Sequence, residues 1–470
     1  MNRYRKLASN TAILAVGTFG SKLLVFLLMP LYTAWLTTAE FGTAELITGL
    51  SNFLMPLACV GLSTGVFRFA AEREADREAV FSTSTALLCL SLGGFLLLSP
   101  LFLLVGYFSQ YWWLVVLYVI FANLQAVFAQ YLRAIDRTVL FAGQGILNTV
   151  LVVAFNVLFL FGFGMGVEGY VLSVVMGNFV TILFLILRAR LWEVFSFQKI
   201  DRRMMKDLLR FSLPLIPTTV CWLITDLSDR YMVTRALGES ANGIYAAAYK
   251  LPTVVTLVAS IFLQAWQFSA IAEHSDQSTC KRFYSQVFGG FLSVVMIGAS
   301  GLILLSRTLT ALLLNEAYFE AWQYMPALLC AAALEAIVSF LASVYLVKKK
   351  SMHSFVTALI GAASNVALNL WLIPLIGALG AAIATLASYG LVMVARLLDA
   401  RRLIPFNLCL PRLCISTALL LLQAAVMTWD PPYRLLCSFL IAVCIVAINA
   451  PALVGGVKRM LKARNSSDQI

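Results

Sequence analysis

Seven ionisable side chains stand inside long apolar stretches of the chain: Lys22, Glu45, Asp226, Asp229, Arg230, Lys250 and Glu335. An ionisable group at the centre of a membrane helix costs about 2.5 to 3.5 kcal/mol on insertion scales, so such groups face protein or water and mark a pathway. Lysine ammoniums and the arginine fork both hold phosphate oxygens, so Lys22, Arg230 and Lys250 in one cavity would suit an anionic ligand. The acids Asp226, Asp229, Glu335 and Glu45 are candidates for a coupling cation or proton, or for keeping the cavity ordered before a ligand arrives. Spacings of three and four put Asp226, Asp229 and Arg230 on one helix face. Two plainer readings stand beside this one. Asp226 with Arg230 can be an intrahelical pair that eases insertion, and the two lysines can snorkel to an interface.

The elements that must position these groups follow from composition. The chain has 470 residues, 61% hydrophobic and 12% charged, with a mean hydropathy of +0.89. Soluble domains are about 45 to 50% apolar and about 25% charged, so the chain belongs in a membrane. An apolar run of about 20 residues crosses the hydrocarbon as a helix. Fourteen such runs are present, over 7–35, 42–66, 81–107, 112–132, 139–162, 167–187, 211–235, 242–269, 284–306, 322–347, 353–373, 377–396, 411–429 and 434–454. With both termini cytoplasmic, 28 of the 34 Lys and Arg fall on the inner side, Arg396 among them. Arg235, Arg307 and Arg434 fall outside, which satisfies the positive-inside rule. The net charge of +12 is therefore a membrane-face signature and calls for no nucleic acid.

The nine cysteines form no CxxC pair and the two histidines, His274 and His353, sit near helix ends, so neither a metal site nor a cofactor is implied. GxSxG, HExxH and Walker patterns are absent, and no catalytic residue is assigned. A repeat runs through the chain. Thr33, Leu36, Gly42 and Phe67 meet Thr234, Leu237, Gly243 and Phe268 at one offset, and Gly166 and Gly169 meet Gly377 and Gly380 at another. The expected organisation is all-α: a six-helix bundle over 1–190, a basic linker over 191–210, a second six-helix bundle over 211–400, and two further helices with a basic tail over 401–470. An even helix number per repeat gives two like-oriented halves, which suits rocking of one half against the other. Pro30, Pro56, Pro214, Pro217, Pro252, Pro326 and Pro374 lie in or near helix ends and offer bending points.

Several stretches then resemble a known family. They are Leu36 to Gly42, Gly61-Leu62 to Arg68-Phe69, Phe211 to Pro217, Ser228 to Tyr231 with Gly243 to Tyr245 and Tyr249 to Leu251, and Asn365 to Asn369 with Ile373-Pro374 and Gly377 to Ala382. Together they resemble the polysaccharide-transporter branch, the Wzx-type oligosaccharide flippases, of the MOP (MATE-like) flippase superfamily. The resemblance implies about 14 transmembrane helices in the bacterial plasma membrane. It also implies a substrate, undecaprenyl-diphosphate-linked oligosaccharide, moved from inner to outer leaflet for surface polysaccharide synthesis, with membrane lipids and glycan polymerases as partners. The family's cationic cavity carries over best onto Arg230 and Lys250. Two alternatives remain open at this point: a multidrug or cation antiporter of the MATE branch, and a membrane-bound polysaccharide polymerase or ligase.

Overall fold

A computed structural model describes residues 28–71, 76–104, 109–272, 277–348, 350–404, 406–429 and 431–467. Lys22 and most of the first expected span lie outside them. Among the described residues every regular element is helical. The first ten α-helices are α1 Met29–Trp35, α2 Thr38–Ala58, α3 Leu62–Ala70, α4 Arg77–Leu98, α5 Trp112–Ala134, α6 Thr138–Asn156, α7 Gly166–Ala189, α8 Leu191–Val194, α9 Arg202–Ser212 and α10 Ile216–Leu237. There follow α11 Glu239–Lys250, α12 Pro252–Ala272, α13 Gln277–Leu313, α14 Met325–Val347, α15 Ser351–Ile376, α16 Ala378–Leu403, α17 Leu410–Trp429 and α18 Arg434–Ser467. They form two compact units, Met1–Tyr231 and Met232–Ile470, divided within α10.

Ten of these helices are long and apolar enough to cross a membrane, or up to thirteen if each of three bent pairs is one span. Every expected run from 42–66 onward has its counterpart among them. The bends are 51° between α2 and α3, 46° between α9 and α10, and 41° between α11 and α12. Each coincides with proline: Pro56 two residues before α2 ends, Pro214 and Pro217 at the α9–α10 break, and Pro252 opening α12. A prolyl nitrogen donates no hydrogen bond and its ring crowds the preceding turn, so the helix axis breaks there. At the first bend Gly61 adopts φ +67°, a conformation that glycine reaches without cost.

In the first unit, helix starts follow their caps. Thr37 and Glu40 form a reciprocal capping box at α2, and Asp76 accepts from the Glu78 and Ala79 amides at α4. The Ala79 amide, with Lys199 nearby, holds the Asp76 carboxyl below its usual range. Lys199 itself pairs with Glu78 at 2.7 Å, and this interaction raises its ammonium. The segment expected to be a linker is docked on α4: the Ser196 amide donates to Ser82 Oγ at 2.9 Å and the Asp201 amide to Thr83 Oγ1 at 3.0 Å. Helix α9 continues from it, burying Leu208 and Ser212 while Arg202, Arg203, Lys206 and Arg210 stay exposed. Gly65 lets α9 approach α3, since a Cβ there would lie 2.6 Å from Ser212 Oγ.

The second unit is built around aromatic rings. Trp266 stacks on Phe340 at 5.3 Å and donates through Nε1 to Ser343 Oγ at 3.0 Å, with Tyr284, Phe288, Phe291 and Phe406 packed around the pair. Helices α17 and α18 are fastened to α13 by buried amides. Ser300 donates to Gln423 Oε1 at 2.7 Å, and Gln423 Nε2 donates to Ser438 Oγ at 3.1 Å. Asn449 Nδ2 donates to Ser416 Oγ at 2.9 Å. In lipid, where apolar contact alone does not drive association, such bonds pin helices together.

The repeat is visible in glycine. Gly166 (φ +53°) and Gly377 (φ +64°) stand at the starts of α7 and α16. Three residues on, Gly169 and Gly380 admit the preceding helical segment: a Cβ would meet Phe159 Cβ at 3.2 Å in one and the Leu372 carbonyl at 2.5 Å in the other. Other glycines have no such duty. Gly143 and Gly145 face open space, with nothing within 4 Å of where a Cβ would stand.

Candidate functional site

Glu45 and Arg230 come together in the first unit although 185 residues separate them. Arg230 Nη1 donates to Glu45 Oε2 at 2.8 Å and to the Glu45 carbonyl at 3.1 Å. Glu45, on α2, is 4% exposed. The Arg230 side chain, on α10, retains 19% exposure. The other carboxylate oxygen, Oε1, accepts from the Tyr170 hydroxyl of α7 at 2.7 Å. Tyr170 meets Tyr32 of α1 edge to face at 5.0 Å, and Asn156 Nδ2 donates to the Tyr32 hydroxyl at 3.2 Å. Asn156 closes α6 just before a π-helical turn, Val157–Gly162. Such a turn shifts the register of the helix and often marks a functional position. One carboxylate thus gathers five elements through hydrogen bonds and one edge-to-face ring contact.

The same helix carries the two aspartates in different settings, Asp229 buried and Asp226 exposed. The ion pair described for Arg230 runs to Glu45 across helices, whereas sequence spacing offered Asp226 as the intrahelical partner. Lys250 ends α11 and Glu335 lies midway along α14, both half-buried and both in the second unit. Lys22 lies outside the described residues.

Sequence reasoning passed over Tyr32, Tyr170 and Asn156, and it set Arg396 on the inner edge of a span. Arg396 is instead inside α16 and 2% exposed. Its Nε donates to Thr357 Oγ1 of α15 at 3.0 Å and its Nη1 to the Val338 carbonyl of α14 at 2.8 Å. The guanidinium carbon lies 5.7 Å from the Tyr345 ring centre. One turn further, His353 Nδ1 and Asp399 Oδ2 are 2.7 Å apart. Arg396 therefore joins three helices through neutral acceptors, in contrast to the carboxylate that holds Arg230.

Residues 7–273, more than half of the chain, match the family described as polysaccharide biosynthesis protein. The structure is similar to that of the lipid II flippase MurJ in an inward closed conformation, with a TM-score of 0.68 at 14% identity over 93% of this chain and 98% of that one. It is also similar to a multidrug resistance MATE family transporter of the MOP superfamily in an outward-facing conformation. There the TM-score is 0.63 at 15% identity, over 84% of this chain and 95% of that one. An inward-facing conformation of such a transporter matches with a TM-score of 0.61 at 14% identity, over 83% and 98%. At these identities the likeness is one of fold. No curated protein sequence matches the chain.

Proposed function

We propose that this chain, which belongs to the polysaccharide biosynthesis protein family and is a multi-pass membrane protein with the fold of flippases and transporters, moves undecaprenyl-diphosphate-linked oligosaccharide across the bacterial plasma membrane. The direction is from inner to outer leaflet, by alternating access, with both termini cytoplasmic. The observation that carries this reading is the Arg230–Glu45 pair, a guanidinium kept partly open at membrane depth by a buried carboxylate.

Glu45 does two things for Arg230. It makes the cation tolerable inside the bilayer, and it fixes the orientation of a planar fork whose geometry matches phosphate oxygens. A diphosphate and the Glu45 carboxylate compete for one guanidinium. Protonation of Glu45 hands Arg230 to the diphosphate, and deprotonation takes it back, so substrate and proton exchange at one place. Lys22 and Lys250 add positive charge for the headgroup, while Asp226, Asp229 and Glu335 balance those cations before it arrives. The polyprenyl tail stays in lipid. No bond is made or broken, so the chain needs no catalytic group.

The family match favours this cargo over the multidrug cation of a MATE-type antiporter. The experiment is to delete the protein in its host and determine on which leaflet lipid-linked oligosaccharide accumulates. Unit-length glycan on the inner leaflet is the expected result. Single units on the outer leaflet would mean a polymerase or ligase, and no accumulation would mean an antiporter.

A further inference from the structure

Neutral polar side chains cross the first unit in a connected ribbon. On α5, Tyr118, Phe121 and Gln125 share one face at spacings of three and four. The Tyr118 hydroxyl donates to Asn52 Oδ1 of α2 at 3.2 Å, and Gln125 Nε2 donates to Gln144 Oε1 of α6 at 2.6 Å. One turn along α6, Asn148 Nδ2 donates to Asn178 Oδ1 of α7 at 3.2 Å, and Asn148 Oδ1 accepts from Thr181 at 3.2 Å. Phe121 meets Phe179, the neighbour of Asn178, with ring centres 5.3 Å apart.

The ribbon differs from a set of bonds that merely fastens helices. In the second unit the amides Asn365 and Asn369 and the Thr385 hydroxyl are fully buried. In the first, Asn52 is exposed, Tyr118, Gln125 and Asn148 are half-buried, and only their partners Gln144 and Asn178 are buried. Their bonding capacity is also only partly used. Among the described residues, no partner meets Gln125 Oε1, Gln144 Nε2 or Asn178 Nδ2. An amide offers a donor and an acceptor side by side, which is what a sugar hydroxyl needs, and an aromatic face receives the apolar side of a pyranose. A carboxylated sugar placed here would meet no cation of the ribbon, and an unpaired charge at this depth is costly. Tyr118 and Gln125 are about 10 Å apart along the helix axis, the scale of a short oligosaccharide.

We infer that this ribbon, centred on Asn52, Tyr118, Gln125, Gln144 and Asn148 with Phe121 and Phe179 beside it, is the glycan site, selective for uncharged sugar units. The inference rests on the flippase reading and divides the labour within it: charged residues take the diphosphate and the ribbon takes the sugars.

The test measures binding to the full-length protein in nanodiscs with three probes. They are undecaprenyl diphosphate alone, the same lipid bearing a neutral trisaccharide, and the same lipid bearing a uronate-containing trisaccharide. Two variants are compared with wild type: the double change Gln125→Leu with Gln144→Leu, which removes both partners of one bond, and Asn52→Leu at an exposed position that folding tolerates. Both variants should bind the neutral glycolipid at least tenfold more weakly while binding undecaprenyl diphosphate as wild type does. Wild type should prefer the neutral over the uronate glycolipid by a similar factor. Unchanged binding of the neutral glycolipid, or equal loss for both it and the bare diphosphate, would overturn the ribbon as a glycan site and leave the flippase reading intact. Equal wild-type affinity for the two glycolipids would overturn its selectivity for neutral sugars. A wild type that binds none of the probes would remove the flippase reading and this site with it.

Discussion

The two units solve the same problem, a cation buried among membrane helices, in opposite ways. In the first, Arg230 stays partly open and is held by the carboxylate of Glu45, itself bonded to Tyr170. In the second, Arg396 is sealed and held by the Thr357 hydroxyl and the Val338 carbonyl. A pair of opposite charges has two states that a proton or an anion can exchange, whereas a guanidinium held by neutral oxygens has no competitor to release it. The first arrangement presents a charge pair that an anion or a proton can exchange, and the second ties three helices together.

The sharpest way to break this contrast is Arg396→Ala. It leaves a cavity and removes two buried charge-assisted hydrogen bonds, a loss of about 3 kcal/mol or more. Membrane abundance and the melting temperature of the purified protein should both fall steeply. If abundance stays at wild-type level, Arg396 is not the fastening described. Arg230→Ala should do the reverse, abolishing glycan export while membrane levels persist, because Glu45 can be neutralised by protonation and keeps its Tyr170 partner. Complementation of a flippase-deficient strain, scored beside an immunoblot, decides it, and full complementation contradicts the role. Glu45→Gln, which retains an oxygen for Tyr170 but removes the charge, should leave glycolipid bound while making transport indifferent to the proton gradient. A gradient-dependent rate in that variant would place coupling elsewhere.

Two smaller changes compare the repeat itself and the surface. Gly380→Ala forces a Cβ to 2.5 Å from the backbone carbonyl of Leu372, whereas Gly169→Ala meets side-chain carbons only, Met165 Cβ at 2.9 Å and Phe159 Cβ at 3.2 Å. Overpacking costs about 1 to 3 kcal/mol, and the melting temperature should drop more for Gly380→Ala. Equal drops would mean that the α15–α16 turn relaxes as freely as the α6–α7 turn. Asp76 shows the smallest effect. Its carboxyl is held low in the folded state, so its contribution is present at neutral pH and disappears as pH falls through that lowered value. Asp76→Asn should cost about 1 kcal/mol or less and flatten stability on the acid side, as read from melting curves between neutral and acid pH.

The helices were legible because hydrophobic runs of about 20 residues have few other uses. The prolines at the bends were legible too, yet Pro374 lies inside an unbroken α15 while Pro56 precedes a sharp turn. What separates them is packing beyond the proline, which local sequence does not carry. The ionisable residues of the site could be enumerated, since each is an exception to its surroundings. Their pairing could not, because Glu45 and Arg230 are distant in sequence while Asp226 and Arg230 sit one turn apart. Arg396 fell on the inner edge of the expected span because Asp399, Arg401 and Arg402 follow it closely and mimic the end of a span. Tyr32, Tyr170 and Asn156 gave no warning, as neutral polar groups disturb hydropathy little.

The bends also bear on how the chain enters the bilayer during synthesis. Helix α9 is short and rich in Arg and Lys, and α11 carries Glu239 and Lys250 at its ends. Neither half would be accepted by an insertion machinery that reads windows of about 20 residues. Helix α10 brings Asp226, Asp229 and Arg230 into that same stretch. When it emerges, α2 has already been made, and Glu45 with it. The carboxylate that pairs with Arg230 is thus already in the chain when Arg230 is made, and pairing with it lowers the cost of placing that helix in the membrane.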